Sequence, residues 1–149
     1  MSLKIDLELL ESGQVPQYQS VGAAGMDLCS SESFELKPLE RRGVRTGIKV
    51  SLPEGYEAQV RPRSGLALKH GISMANSPGT IDSDYRGEIR VILINLGQEV
   101  VQFEVGDRVA QLVIAPVTRA EWNIVEHLDE TDRGEKGFGS SGGFGLNGV

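Results

Sequence analysis

Leu3, Ile5, Leu7 and Leu9 alternate with Lys4, Asp6 and Glu8. Period two over this stretch predicts a half-buried strand. Val44 to Val50 and Tyr56 to Val60 flank Ser51-Leu52-Pro53-Glu54-Gly55, where proline and glycine suit a turn. Further apolar runs predict strands at Ile72 to Ala75, Ile89 to Leu96, Val100 to Val105, Val109 to Val117 and Trp122 to Val125. Turn residues interrupt these runs roughly every ten positions, a spacing that favours an all-β sandwich or barrel. One short helix is predicted over Gly65 to His70, and no internal repeat is visible.

Composition narrows the function classes. At 149 residues the chain makes one domain with a sizeable core, and with only 5% aromatics that core rests on Val, Ile and Leu. Fifteen Lys and Arg against twenty-one Asp and Glu give a net charge of −6. This balance argues against nucleic acid as a partner but allows a local basic pocket for a small anion. Cys29 is the single cysteine, and His70 and His127 are the only histidines. An internal disulfide or a Cys-based zinc site is excluded, so any metal is expected to be a hard ion held by oxygens. The longest mostly apolar run, Val109 to Val117, holds Gln111 and Pro116 and falls short of the ~20 residues a membrane helix needs. The N-terminus does not read as a secretory signal, so the expectation is a soluble, cytoplasmic protein with no membrane partner.

Five segments carry chemistry. Gly25-Met26-Asp27-Leu28 places one carboxylate between apolar residues, by itself a common strand-end feature. Arg61-Pro62-Arg63-Ser64-Gly65 runs from a strand into the predicted helix. Arg63, the Ser64 hydroxyl and the N–H groups of Ser64 and Gly65 would suit an anion there; the plainer alternative is a capping Ser64 beside solvated arginines. Asn76 to Arg90 reads as a wide β-hairpin with a polar, glycine-bearing middle, whose free backbone groups could read a base. Asp82 beside Ile81 is expected to be partly desolvated, which suits a general base. Asp82 and Asp84 would share one face of a regular strand, a metal-pair geometry that a turn would break. Arg108 and Gln111 open an apolar run and, three apart in a regular strand, would point to opposite faces. The stretch from Gly134 to Val149 holds seven glycines in sixteen residues. Gly137, Gly139 and Gly142 match a dinucleotide fingerprint in spacing only, because no strand and helix flank them. What remains is either a frayed end or a loop whose N–H groups, with Arg133, Ser140 and Ser141, could wrap phosphate while Phe138 covers a flat ligand.

In this order the five segments resemble the trimeric deoxyuridine triphosphatase (dUTPase) family. The match runs through Ala24-Gly25-Met26-Asp27-Leu28, Pro62-Arg63-Ser64-Gly65, Gly79-Thr80-Ile81-Asp82-Ser83-Asp84-Tyr85-Arg86-Gly87, Arg108-Val109-Ala110-Gln111 and Arg133 to Gly142. Met26 and Ser141 depart from residues frequent in the family without removing a needed donor. The resemblance implies a distorted jelly-roll β-barrel with one short helix over residues 1–132. A glycine-rich C-terminal arm over 133–149 would act as a lid within the same domain. It also implies a homotrimer with active sites at subunit interfaces, Mg²⁺ as cofactor, and hydrolysis of dUTP to dUMP and pyrophosphate.

The roles implied by the resemblance are specific. Asp82 would deprotonate the water that attacks the α-phosphorus, and Asp27 would reach Mg²⁺ through water. Arg63, Ser64, Gly65 and Gln111 would hold the triphosphate, with Arg108 as a buried structural brace paired to a carboxylate. Asn76, Thr80, Ile81, Asp82 and Arg90 would read uracil, and the Tyr85 ring would exclude a 2′-hydroxyl. Phe138 would stack on the base while Arg133, Gly139, Ser140 and Ser141 close over the phosphates. The competing readings are dCTP deaminase, which resembles this fold, and a non-catalytic jelly-roll binding module.

Overall fold

The structure is a computed structural model and describes residues 2–137. The chain divides into two units, Met1–Thr118 and Arg119–Val149. The first contains the regular elements among the described residues: β1 (Asp6–Leu9), β2 (Met26–Cys29), β3 (Phe34–Leu36), β4 (Arg41–Arg45), β5 (Ile48–Ser51), β6 (Tyr56–Arg61), α1 (Ser64–His70), β7 (Ile72–Met74), β8 (Gly79–Ile81), β9 (Arg90–Asn95), β10 (Val101–Phe103) and β11 (Arg108–Pro116). The protein is all-β with one short helix. Its strands pair antiparallel in four sheets: β2-β11-β6-β8, β4-β9-β7, β1-β5 and β10-β3.

Alternation decides which side chains enter the core. On β9 Val91, Leu93 and Asn95 are buried while Arg90 and Ile92 face outward. Val44, Ile48, Val60, Ile72, Ile89 and Val109 join them, and Phe34 stacks on Phe103 with ring centroids 4.8 Å apart. Burying each such side chain contributes about 1.5–3 kcal/mol. Three polar residues, Ser30, Thr46 and Asn95, enter with hydrogen-bond partners, the Ser30 hydroxyl donating to the Glu32 carbonyl at 2.6 Å. Asn95 donates through Nδ2 to the carbonyls of Leu36 and Glu99, at 2.9 and 2.8 Å, and accepts from the Gly97 N–H. The Thr46 hydroxyl donates to the Ile89 carbonyl at 2.6 Å.

The elements depart from the sequence pattern in instructive places. The strand expected over Val44 to Val50 is two strands, because Gly47 turns the chain with a φ of 68°. A Cβ there would lie 2.6 Å from the Gly13 Cα, so glycine is required twice over. The N-terminal strand begins at Asp6, with Ile5 and Leu7 against the core and Leu3 and Leu9 exposed. The hairpin flanks β7 and β9 do pair, Met74 opposite Leu93. Between them β8, which the pattern did not predict, leaves to pair with β6 in another sheet. β2 and β3 were also missed, being only four and three residues long. The strand expected over Trp122 to Val125 does not form, since an isolated short segment needs a pairing strand and none is described in the second unit. No helix of the described residues is long and apolar enough to cross a membrane.

Candidate active site

A β-bulge builds the first half of the site. Along β11, Arg108 lies opposite Cys29, Ala110 opposite Leu28 and Gln111 opposite Asp27, so Val109 is an extra residue. In a regular strand Arg108 and Gln111 would point apart; the extra residue brings both to the face of Asp27. The Asp27 side chain is only 12% exposed, with Oδ1 3.3 Å from Arg63 Nε and Oδ2 3.5 Å from an Arg108 guanidinium nitrogen. Arg63 also donates to the Arg108 carbonyl at 3.2 Å, and Gln111 Nε2 donates to the Pro62 carbonyl at 3.4 Å. Arg108 does pair with a carboxylate, but its side chain is half exposed rather than buried, since it stands at the open start of its strand. Two guanidinium groups about one carboxylate leave a net positive spot in an acidic chain, which suits a phosphate chain.

The helix start adjoins this cluster. Arg63, in extended conformation, is the N-cap residue, and no side chain caps the helix. Ser64 is therefore the first helical residue and not the cap. It is exposed together with Gly65, and the first-turn N–H groups have no intrahelical partner. At the other end Gly71 closes the helix in left-handed conformation, its N–H donating to the carbonyls of Ala67 and Leu66. Next to the cluster, burial first and the Asp27 charge second push the Cys29 thiol up, which disfavours the thiolate.

The second half is a pocket of about 370 Å³ around β8. Every hairpin residue expected to read the base, Asn76, Thr80, Ile81, Asp82 and Arg90, lines it, together with Tyr85, expected to select the sugar. Gly43, Glu88 and Ile92 line it too, and none of the three carried a sequence signal. The Tyr85 N–H donates to the Asp82 carbonyl at 3.2 Å and its hydroxyl to the Glu88 carbonyl at 3.0 Å. Asp82 follows the end of β8 and is exposed, so Ile81 alone does not desolvate it within one chain. Ser83 and Asp84 form a turn, which removes the strand face on which Asp82 and Asp84 would have made a metal pair. Among the described residues no three His, Cys, Asp or Glu side chains gather to hold a metal ion.

These halves do not converge within the chain. β2 and β8 are the opposite edges of one sheet, with β11 and β6 between them. Three strand spacings put Asp27 and the base pocket ~14 Å apart across the sheet. In the second unit the Arg133 Nε donates to the Lys136 carbonyl at 2.9 Å. Phe138, Gly139, Ser140 and Ser141 lie outside the described residues.

Comparison with known proteins identifies the family. The dUTPase family model matches residues 11–142. A deoxyuridine 5'-triphosphate nucleotidohydrolase of Wolinella succinogenes is 60% identical over 136 residues, 91% of each chain. Another, from Zymomonas mobilis, is 54% identical over 145 residues, 95% of this chain and 99% of that one. Among solved structures, the dUTPase of Staphylococcus bacteriophage 80alpha with dUpNHpp superposes with a TM-score of 0.87 at 29% identity, over 95% of this chain and 99% of that one. A D95N mutant dUTPase from phage phi11 of S. aureus, whose structure concerns the coordination of a structural Mg(II) ion, gives 0.78 at 27% identity over 84% and 98%. With a family match over most of its length and relatives above half identity, the chain belongs to the dUTPase family.

Proposed function

We propose that this chain hydrolyses dUTP to dUMP and pyrophosphate at sites assembled from three copies. Hydrolysis of dUTP to dUMP is the activity of its family, which limits uracil in DNA and supplies dUMP for thymidylate synthesis. The observation that carries the shared site is the separation just described. The base pocket with Asp82 and the arginine cluster with Gln111 stand on opposite edges of one sheet. A single copy offers one half to each of two sites, and a homotrimer joins them. The strand pairing suits a distorted jelly roll, and a free Cys29 suits a cytoplasmic location.

Asp82 holds the attacking water and takes its proton as the water closes in line on the α-phosphorus. Its exposure at the pocket rim leaves the carboxylate free for that role. Asn76, the backbone from Thr80 to Asp82 and that of Arg90 pair with the uracil edge, and a cytosine amino group would leave them mismatched. Tyr85 lies against the deoxyribose. Arg63, Ser64, Gly65 and Gln111 take the phosphate oxygens, with Arg108 bracing Asp27. The arm over 133–149, through Arg133, Phe138, Gly139, Ser140 and Ser141, closes over the nucleotide and excludes water. A Mg²⁺ ion fits the donor set only as an ion that keeps its waters. Asp27 already faces two arginines and has lone pairs left for water, and no three-ligand cluster is described. When bound, it offsets the charge of the triphosphate.

The test is pyrophosphate release from dUTP beside dTTP, dCTP and UTP, with and without Mg²⁺. Rapid Mg²⁺-dependent release from dUTP alone is expected. Silence on dUTP with ammonia release from dCTP would replace this reading by deamination, and silence on both by a binding module.

A further inference from the structure

One charged group in the base pocket has no part in the reaction just described. The Glu88 side chain is 12% exposed. Its carboxylate accepts the Gly47 N–H at 3.0 Å and receives Arg45 Nε at 3.2 Å from both oxygens. A guanidinium nitrogen of Arg90 stands 3.9 Å away. Arg45 and Arg90 are directly opposite each other on β4 and β9. Like charges in such a cross-strand pair repel, and the single negative charge of Glu88 sits where it offsets that repulsion. The same residue holds the tyrosine: the Glu88 carbonyl accepts the Tyr85 hydroxyl at 3.0 Å. Gly87 between them makes that contact possible, because a Cβ there would lie 2.3 Å from the Tyr85 hydroxyl oxygen. The turn of the 45–47 loop and the 85–90 segment are thus fastened together at one carboxylate.

We propose that Glu88 is a positioning residue for sugar selection. By fixing the backbone around Gly87 it fixes the Tyr85 ring, and through that ring the preference for deoxyribose over ribose. This rests on the pocket assignment proposed above. With the charge removed, Arg45 and Arg90 face each other without the carboxylate they share, the 85–90 segment shifts, and Tyr85 loses its anchored place. A purely structural ion pair would lower stability and leave selection alone.

Glu88→Gln keeps the shape and one acceptor for Gly47 while removing the charge. In steady-state pyrophosphate release, KM for dUTP should rise about tenfold, more than kcat falls, and the dUTP/UTP ratio of kcat/KM should drop about tenfold. Arg45→Gln should reproduce both changes, and the double variant should show less than the sum, since the two residues share one contact. A lowered melting temperature with KM and the dUTP/UTP ratio unchanged overturns the inference. If Glu88→Gln does not fold, Arg45→Gln decides by the same two readouts. A wild-type chain inert on dUTP would overturn the activity itself, and this inference with it.

Discussion

Asp27→Asn separates two duties of one carboxylate. Contacts of 3.3 and 3.5 Å to Arg63 and Arg108 correspond, at an effective dielectric of about 20, to ~5 kcal/mol each of bare Coulomb attraction. Desolvation of Asp27 and the solvent around the half-exposed Arg108 offset most of that sum. A net loss of about 2 kcal/mol is expected, which at a urea slope of 1–3 kcal/mol/M moves the unfolding midpoint down by ~1 M. Wild type and variant are compared at one protein concentration, because an assembly's stability depends on it. The second readout is calorimetric binding of dUpNHpp. In EDTA the variant should bind about tenfold tighter, because the arginines no longer share their charge with Asp27. In Mg²⁺ it should bind more weakly, because a neutral amide replaces the charged acceptor for the ion's waters. The same direction of change in both media, or an unmoved midpoint, would refute the double role.

Three further changes probe the proposed general base, an acid-sensitive contact and the core. Asp82→Asn should abolish turnover while dUpNHpp binding stays near wild type, and ordinary turnover would remove Asp82 as the base. Burial raises the pKa of Glu32, but the Arg45 N–H, the Arg42 side chain and the charges of both arginines outweigh it and hold the group below the usual carboxylate range. Its stabilisation is full above the ordinary carboxylate pKa and is lost as pH falls through the depressed native value. Glu32→Gln should therefore flatten the loss of stability below about pH 5, as read by urea midpoints across pH, and an unchanged acid limb would count against the contact. Asn95→Ala removes three hydrogen bonds and strands the Leu36 carbonyl in the core, with the Glu99 carbonyl and the Gly97 N–H left unpaired at its margin. It should cost about 3 kcal/mol, or roughly 10 °C in melting temperature, and a shift under 3 °C would show that water replaces the amide.

The alternation of apolar and polar residues was enough to find β6, β7, β9, β10 and β11 within a residue or two and to place one short helix before Gly71. Residue chemistry in order along the chain pointed to the family and to the hairpin pocket, because those signals are local: period two, turn residues, and donors at set spacings. Tertiary structure alone decided the rest. Gly47 breaks one apolar run in two because Gly13 packs against it. The extra Val109 puts Arg108 beside Gln111 and Asp27, reversing the face that a regular strand would assign. β8 pairs with β6 and not with the flanks of its own hairpin, which carries Asp82 to the sheet edge opposite Asp27. Glu88 gains its place only when β4 and β9 bring two arginines face to face. Each of these depends on which backbone groups pair across long stretches of chain, and a local pattern of side chains does not contain that choice.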